Sequence, residues 1–480
     1  MERRAFVATL SGLPLALDAA AASIVREANL AVAGLAMPGT PGSGADTLRG
    51  RVTDLERPRP TRAQLVWQRD ELAMFVHFGV NTFTDREWGD GTENPNIFNP
   101  AALDARQWAR TARAAGFKAM ILTAKHHDGF CLWPTRTTRH SVASSPWRNG
   151  EGDVVREFVD ACRAEGLKAG LYLSPWDRNA TVYGDSPRYN DFYIAQLTEL
   201  LTRYGTIHEV WFDGANGEGP NGKRQTYDWP RTWNTVRRLQ PRAVMFSDAG
   251  PDVRWIGNER GVAGTTNWST VRPDIVTAPG MSGDEVMRSL QDGDRDGTVW
   301  RPGETDVSIR PGWFNHPAED ERVRSAADLV ELYFTSVGRN SKLLLNVPPT
   351  RDGLFHDRDV ASLLAMRARL YGIFEWDLTA AATHRFRMTG PRSAELVTTL
   401  RRAATIGLID LREQIEQGQS VAAYRVEAYD GTAWRPLCRG TTIGSRRLEK
   451  VSPTPCERLR VIVDDAVGTP ISIAVHAFDA

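Results

Sequence analysis

The 480-residue chain is predicted to be an α/β protein: a TIM-like (β/α)8 barrel followed by a C-terminal antiparallel β-sandwich. Two observations predict the barrel. Apolar strand-like runs alternate with helical patterns along most of the chain. A phrase in which a helix stops at glycine and a strand begins also occurs twice, as Arg113-Ala-Ala-Gly-Phe-Lys-Ala and Arg163-Ala-Glu-Gly-Leu-Lys-Ala. About 320 residues of such parallel β/α units favour a closed barrel over an open sheet.

Apolar runs that end in polar residues are the predicted barrel strands. They are Met74 to Val80, Met120 to Ala124, Ala169 to Ser174, Val210 to Asp213, Ala243 to Ser247, Ile309 to Phe314 and Leu343 to Val347. One helix is predicted to begin at Asn99, which precedes a proline, and to end at Gly116 while burying Leu103, Trp108 and Ala112. No Gly-x-Gly-x-x-Gly follows a strand, so a dinucleotide-binding open sheet is disfavoured.

The composition of the sequence divides the chain into three parts. Residues 1–50 are predicted to be an export signal and linker, because Arg3 and Arg4 precede a short apolar stretch, as in twin-arginine signals. The alternative is a disordered or helical cytosolic tail. Residues 51–375 are the predicted barrel. Residues 376–480 are the predicted β-sandwich, because apolar and polar residues alternate there between turn residues. The expected location is periplasmic or secreted.

The charge balance excludes some classes of partner. The chain has 59 Lys and Arg against 59 Asp and Glu. Without a net field to hold phosphate backbones or anionic lipid, we expect neither nucleic acid nor a membrane as a partner. The 15 Trp, 10 Tyr and 17 Phe supply flat apolar faces that suit a C–H-rich ligand such as a sugar, although most are expected in the core. The sequence carries no signal for the oligomeric state.

Patterns that can indicate a metal are interpreted otherwise here. His126 and His127 are neighbours, and neighbouring strand side chains point to opposite faces, which favours hydrogen bonding over a shared metal. The run that starts at Asp292 resembles a calcium loop, but its twelfth position is Gly303 rather than Glu, and we interpret it as a turn. We therefore predict no metal and no cofactor.

Cysteine positions give a weak structural signal. Cys438 and Cys456 both fall in the β-rich tail, where an exported protein could join them by a disulfide. Cys131 and Cys162 fall in the predicted barrel and are expected to be buried thiols. Four cysteines in a chain of this length do not indicate a disulfide scaffold.

Polar residues at strand ends are the candidates for a functional site, because the loops at the carboxyl ends of barrel strands converge. Asp213 closes the run that begins at Val210, and Gly214 leaves space for a ligand ring. The alternative for such an Asp is a helix cap or a loop ion pair. Trp211, on the same strand face, favours a site because it offers an aromatic wall beside the carboxylate.

Five motifs in order along the chain give a specific resemblance. They are Phe75-Val-His-Phe-Gly79, Ala124-Lys-His-His-Asp-Gly-Phe130, Gly170-Leu-Tyr-Leu-Ser-Pro175, Glu209-Val-Trp-Phe-Asp-Gly214 and Leu343-Leu-Leu-Asn-Val-Pro-Pro349. Together they resemble glycoside hydrolase family 29, the α-L-fucosidases, over about residues 60 to 375. The segments Ser174 to Arg178, Trp255 to Glu259 and Trp300 to Phe314 resemble the branch of that family that acts on α-1,3/4-linked fucose.

This resemblance implies a role for each matching residue. The nucleophile of the family falls on Asp213, and the acid/base of the α-1,3/4 branch falls on Glu259. The fucose-binding positions fall on His77, Glu87, Trp88, His126, His127, Tyr172 and Trp211. In that branch the Trp300 to Phe314 region meets the sugars beyond fucose, which makes Glu304, Asp306 and Trp313 further binding candidates. Glu304 is also the next acid/base candidate after Glu259.

The resemblance implies a retaining exo-α-L-fucosidase that removes terminal fucose from oligosaccharides or glycoconjugates by double displacement. In this mechanism one carboxylate is ionised and attacks, while the other holds its proton near working pH. One alternative is a retaining glycosidase for another sugar, such as galactose. Another alternative is a non-catalytic carbohydrate-binding protein on a decayed barrel, which the intact carboxylate candidates disfavour.

Overall fold

The computed structural model describes residues 57–468 and 471–479. The predicted export signal and linker, residues 1–50, lie outside the described residues. Among those described, no helix has both the length and the apolar character that crossing a bilayer requires.

A parallel sheet of eight strands forms a barrel, as predicted. In chain order the strands of this region are β1 (Leu72–Val76), β2 (Ala119–Lys125), β3 (Lys168–Leu173), β4 (Glu209–Trp211), β5 (Val244–Phe246), β6 (Arg254–Trp255), β7 (Thr270–Val271), β8 (Val299–Trp300), β9 (Gly303–Ser308) and β10 (Ser341–Asn346). The barrel order is β5-β4-β3-β2-β1-β10-β9-β6, and β7 and β8 form a separate antiparallel pair. A parallel bridge between Phe246 and Val253 joins the two edges and nearly closes the barrel.

Helices surround the strands, and the first caps one end of the barrel. They are α1 (Arg62–Arg69), α2 (Val80–Thr84), α3 (Ala105–Ala114), α4 (Val154–Ala164), α5 (Ser186–Arg203), α6 (Trp229–Leu239), α7 (Asp284–Asp292), α8 (Ala326–Thr335) and α9 (Asp357–Phe374). Trp67 of α1 packs with the side chains that fill the barrel interior, among them Phe75, Ile121 and Leu344. Its indole nitrogen donates to Glu209 over 2.9 Å.

Two predicted elements have different bounds in the structure. The helix predicted from Asn99 begins at Ala105, because the side chain of Asp104 caps it by accepting from the Arg106 N–H at 2.8 Å. Leu103, Trp108 and Ala112 are buried as predicted. The run Ile309 to Phe314 is a loop, and the strand is β9, immediately before it. The acidic residues of β9 conceal it from a search for apolar runs.

The C-terminal region is one antiparallel sheet of β11 (Thr383–Gly390), β12 (Ser393–Glu413), β13 (Val421–Tyr429), β14 (Trp434–Gly440), β15 (Arg447–Ala466) and β16 (Ile473–Phe478). The long strands β12 and β15 pair along most of their length, with register shifts between Thr399 and Ala404. Alternate side chains, such as Leu396, Val426 and Val461, form a separate hydrophobic core. The predicted antiparallel C-terminal domain is therefore present.

The predicted Cys438–Cys456 disulfide is wrong in the structure, where both thiols are free. Cys438 pairs with Val426 of β13, whereas Cys456 pairs with Ala404 of β12. Because β13 lies between β14 and β15 in the sheet, a strand separates the two sulfurs, and a disulfide requires Cα atoms within about 7 Å.

The C-terminal sheet contacts the amino end of the barrel. Arg446 pairs with Glu71, which precedes β1, at 3.0 Å. Arg339, close before β10, forms an antiparallel bridge with Arg447. Parallel strands have all their amino ends on one side, so this domain lies away from the rim where the strands end.

Candidate functional site

The predicted site residues follow the barrel strands at their carboxyl ends. His77 follows β1, His126 and His127 follow β2, Tyr172 lies at the end of β3, and Asp213 lies two residues after Trp211, the last residue of β4. Because the strands are parallel, these side chains meet at one rim.

Asp213 is held by two hydrogen bonds. The Tyr172 hydroxyl donates to Oδ2 over 3.1 Å, and the backbone N–H of Ala215 donates to Oδ1 over 2.7 Å. The two donors fix the plane of the Asp213 carboxyl group. Tyr172 is suited to this role because burial and the negative charge of Asp213 raise its pKa well above the ordinary value, which keeps its proton in place.

Glu259 is the second acid at the rim, and it interacts with Asp213. Desolvation of its carboxyl group raises the pKa of Glu259, and the negative charges of Asp213 and Glu87 raise it further, while a hydrogen bond from the Trp313 side chain opposes them. Glu259 is an exposed residue, and the charge of Asp213 acts on its carboxyl, so the two acids lie near each other at the rim. One carboxyl at this rim retains its proton to a higher pH than an ordinary Glu.

Three buried histidines line the same cavity. His77 Nδ1 lies 2.8 Å from the Asn346 side-chain oxygen, and His127 Nδ1 lies 2.7 Å from the Ser174 hydroxyl. None of the described residues hydrogen-bonds to His126 Nδ1. Burial lowers the pKa of His77 to about 3 and also lowers those of His126 and His127, so all three are neutral at neutral pH. Neutral imidazoles can both donate to and accept from sugar hydroxyls.

The orientation of Asn346 fixes the tautomer of His77. The Asn346 amide nitrogen donates to the Ser308 hydroxyl at 2.9 Å and to the Trp313 carbonyl at 2.8 Å, so its oxygen faces His77. The His77 Nδ1–H then donates to that oxygen and leaves Nε2 as an acceptor. Asn346 was not singled out from the sequence, although it ends β10 within a quoted motif.

Aromatic rings form one wall of the cavity. Trp211 stacks on Phe246 with ring centroids 4.0 Å apart and lies 5.3 Å from Tyr172. Trp88 stands further out, 58% exposed, with its ring 5.9 Å from both His127 and Trp176. Such faces suit the C–H groups of a sugar or a methyl group.

Glu87 lies at the rim, where it binds protein groups. Its carboxylate accepts from the backbone N–H groups of Trp313 at 2.9 Å and Phe314 at 3.2 Å, and from His316 at 2.7 Å. A sugar hydroxyl bound to Glu87, as predicted, would therefore share the Glu87 carboxylate oxygens with this loop. No sequence pattern points to His316, which lies more than 200 residues from Glu87.

Asp306 adds a third acid to the cavity. It is 4% exposed, and the Trp255 indole donates to its Oδ1 over 2.8 Å. Burial raises the pKa of Asp306 well above its ordinary value, and the charges of Glu259 and Asp213 raise it further. The structure therefore brings Asp306 close to both catalytic candidates, and this environment favours its protonated form.

Glu304 does not occupy the position expected of a sugar ligand. It has no exposed surface, and its Oε1 accepts from the Trp211 indole at 3.1 Å inside the barrel. Lys342 Nζ lies 3.8 Å from the other carboxylate oxygen of Glu304. Burial and the charge of Glu209 raise the pKa of Glu304. Glu304 shares a strand face with Asp306 but lies two residues deeper, so it supports Trp211 from below.

Asp248, after β5, was missed by sequence reasoning although it also lies at a strand end. Its Oδ2 accepts from the Gly280 N–H at 2.7 Å. A Cβ on Gly280 would lie 2.4 Å from the Gly214 carbonyl, so the 280 loop packs directly against the residue after Asp213. Burial raises the pKa of Asp248 to about 6.

The barrel and this rim of acids, neutral histidines and aromatic rings define an enzyme of the glycoside hydrolase class. The family model for alpha-L-fucosidases matches residues 56–370. The chain therefore belongs to the alpha-L-fucosidase family, as its resemblance implied.

Named relatives agree with this assignment. The chain is 42% identical over 444 residues to alpha-L-fucosidase 1 of Arabidopsis thaliana, covering 86% of each chain. Among solved structures, it is similar to a glycoside hydrolase 29 family member from an unknown rumen bacterium, with 41% identity, a TM-score of 0.81 and coverage of 88% of this chain and 78% of that one. A Ruminococcus gnavus glycoside hydrolase 29 fucosidase in complex with fucose is 30% identical, with a TM-score of 0.80 and coverage of 91% and 98%. The activity is that of an alpha-L-fucosidase.

Proposed function

We propose that this alpha-L-fucosidase acts with retention of configuration, with Asp213 as the nucleophile and Glu259 as the acid/base. The observation that carries this proposal is that Asp213 and Glu259 both lie at the rim where the barrel strands end, near enough for the charge of Asp213 to raise the pKa of Glu259. A retaining glycosidase needs two such groups on either side of the scissile bond, and it needs them in opposite protonation states.

The surroundings of each acid support its role. Asp213 accepts two hydrogen bonds, which hold a carboxylate ready to attack the anomeric carbon. Glu259, with its raised pKa, holds the proton that the leaving oxygen needs. After the first step Glu259 is a carboxylate and can activate water, which hydrolyses the glycosyl-enzyme and returns the proton to Glu259.

The cavity lining supports fucose as the sugar. Fucose lacks the C6 hydroxyl, so its site needs an apolar surface for a methyl group beside polar groups for the remaining hydroxyls. The stacked Trp211 and Phe246 supply the first, and the neutral His77, His126 and His127 supply the second. The fucose-bound relative from Ruminococcus gnavus supports the same choice.

For the linkage, we infer α-1,3/4-linked fucose on the sequence segments that resemble that branch. Trp313 supports this inference, because it lies on the loop after β9 and close enough to Glu259 to affect its pKa. Incubation with Lewis-type oligosaccharides and with a 2′-fucosylated oligosaccharide tests it by comparing the fucose released. Faster release from the 2′-linked substrate contradicts the branch assignment while leaving the fucosidase activity intact.

The stereochemical test is an NMR time course with an aryl α-L-fucoside. The first product is expected to be α-fucose, followed by slow mutarotation, whereas an initial β-fucose signal contradicts double displacement. For Glu259→Ala, we expect a larger loss with poor leaving groups than with good ones, and partial rescue by azide. If neither occurs, Glu259 is not the acid/base. An aryl α-galactoside of the same ring series serves as the comparison for the sugar.

A further inference from the structure

His316 bridges two carboxylates at the rim. Its Nδ1 lies 2.7 Å from Asp85 Oδ1, and its Nε2 lies 2.7 Å from Glu87 Oε1. An ionised carboxylate can only accept, so both ring nitrogens carry a hydrogen and the ring is an imidazolium. Partial burial lowers the pKa of His316, but the hydrogen bonds to Asp85 and Glu87 outweigh it and raise that pKa above its ordinary value.

The bridge joins two rim loops. Asp85 follows α2 in a left-handed conformation, with φ of 58°, and Glu87 lies two residues beyond. His316 belongs to the loop after β9. The same Glu87 accepts from the backbone N–H groups of Trp313 and Phe314, so this loop wraps around one carboxylate.

Packing at Gly312 shows that the wrapping is tight. A Cβ at this position would lie 2.2 Å from Glu87 Oε1 and 2.9 Å from His316 Cδ2. The Gly312 N–H donates to Glu319 at 3.0 Å, and its carbonyl accepts from the Ser308 hydroxyl at 2.7 Å. The loop therefore has little freedom while Glu87 and His316 remain joined.

Trp313 connects this loop to the proposed chemistry. Its ring lies 5.1 Å from the His77 ring, its carbonyl accepts from the Asn346 amide nitrogen, and its side chain is near enough to Glu259 to lower the pKa of that carboxyl. The position of the Trp313 indole therefore depends on the loop that Glu87 and His316 hold.

We propose that His316 is a positioning residue: its imidazolium, joined to Asp85 and Glu87, holds the 312–316 loop and so keeps Trp313 packed on His77 and beside the Glu259 carboxyl. This inference rests on the proposed role of Glu259 as the acid/base. It gives His316 no contact with the substrate and assigns its effect to the orientation of the acid.

The charges around the ring give the pH dependence a direction. Asp85 and Glu87 face the two nitrogens, and Glu319 lies on the adjoining turn, where its N–H donates to the His316 carbonyl. As pH rises through the raised pKa of His316, the ring loses a proton and one of its two hydrogen bonds. The stabilisation of the loop is present below that pKa and is lost above it.

The test compares kcat/KM of wild type, His316→Gln and His316→Arg on aryl α-L-fucosides with a poor and a good leaving group. For His316→Gln we expect a loss of about tenfold or more with the poor leaving group and a much smaller loss with the good one, because only the former requires a well-placed acid. His316→Arg, which keeps a cation between the carboxylates, is expected to recover most of the activity and to keep it at higher pH than wild type.

A matched control is His476→Gln in the C-terminal sheet. His476 Nδ1 lies 2.8 Å from Asp377, a similar pair far from the rim, and its loss is expected to leave the ratio of the two rates unchanged. Asp85→Asn removes the other partner of the bridge and should repeat the effect of His316→Gln, which keeps the test decisive if His316→Gln folds poorly.

The outcomes separate the two proposals. Equal losses on both substrates, or no loss in His316→Gln and Asp85→Asn, overturn the positioning role while wild type remains a fucosidase. A wild-type enzyme that releases no fucose from either substrate overturns the proposed function itself.

Discussion

Buried acids at the two ends of the barrel have pKa values shifted in opposite directions. At the amino end, Asp410 pairs with Arg446 at 2.9 Å and with Arg412 at 3.0 Å. Burial alone raises the pKa of Asp410, but the two arginines outweigh it and hold that pKa below its ordinary value. At the carboxyl rim, Asp306 has acids for neighbours, and burial and their charges raise its pKa.

The difference lies in the neighbours, because Asp306 and Asp410 are both buried carboxylic acids. An acid beside arginine stays ionised and joins two parts of the fold. An acid beside other acids is favoured in its protonated form, because like charges disfavour ionisation. The amino end is therefore expected to control stability, and the rim is expected to control activity.

The largest expected effect is at the rim. Asp213→Ala should lower kcat by about 10⁴-fold or more, because it removes the proposed nucleophile. Its free energy of unfolding should stay close to that of wild type, because the substitution also relieves repulsion with Glu259. Kinetics and urea denaturation of the same preparation measure both. Substantial turnover by this variant would show that Asp213 is not the nucleophile, and it would contradict the expectation that the rim controls activity.

The next effect is at the amino end. Arg446→Met leaves Glu71 and Asp410 without their buried partner, and we expect a loss of about 3–5 kcal/mol in the free energy of unfolding. The kcat of the folded fraction should remain unchanged. The control is Arg387→Met, which removes an exposed pair with Glu395 at 2.8 Å and should cost about 1 kcal/mol or less. Equal costs for the two variants contradict the structural importance of the buried pair.

Sequence reasoning located the rim because the carboxyl ends of parallel strands converge, so His77, Tyr172 and Asp213 could be grouped without coordinates. It could not predict how deep in the barrel a given side chain lies. Glu304 and Asp306 lie two residues apart on one face of β9, and the sequence does not tell which of them lies nearer the rim. Their charges also hid β9, which was predicted to begin at Ile309.

Contacts between distant loops were beyond the sequence for a different reason. The pairing of His316 with Glu87 joins residues more than 200 positions apart, and no local pattern specifies it. The Arg446 network is equally long-range, since it joins the start of β1 to the last domain. The cap at Asp104, by contrast, was a local signal that the more prominent Asn99-Pro100 obscured.

Asp248 is a further buried acid with a raised pKa, and the pH dependence of its effect on stability can be measured. Its pKa is about 6 in the fold against an ordinary 3.8, so the folded state binds more protons between these values and stability falls as pH rises through them. Asp248→Asn should remove this loss and gain about 1–3 kcal/mol near pH 7.5, from about 1.4 kcal/mol per pKa unit, with no gain near pH 4. Denaturation at the two pH values measures the change. A variant less stable at pH 7.5 shows that the ionised form is the favourable one.

The smallest effect is expected for Asp306→Asn, which compares an acid surrounded by acids with Asp410, an acid paired with arginines. Burial and the neighbouring charges favour the protonated form of Asp306, and Asp306→Asn replaces it by a neutral group of similar shape that can still accept from the Trp255 indole. We expect kcat/KM to change by about threefold or less at neutral pH, the effect of one modest hydrogen-bond change. Asp410→Asn, its counterpart at the amino end, should instead cost about 3 kcal/mol or more in the free energy of unfolding, since it leaves Arg446 underpaired. A loss of activity of about 100-fold in Asp306→Asn contradicts this distinction, because it shows that Asp306 acts through its charge or its proton and belongs with Glu259 in the chemistry.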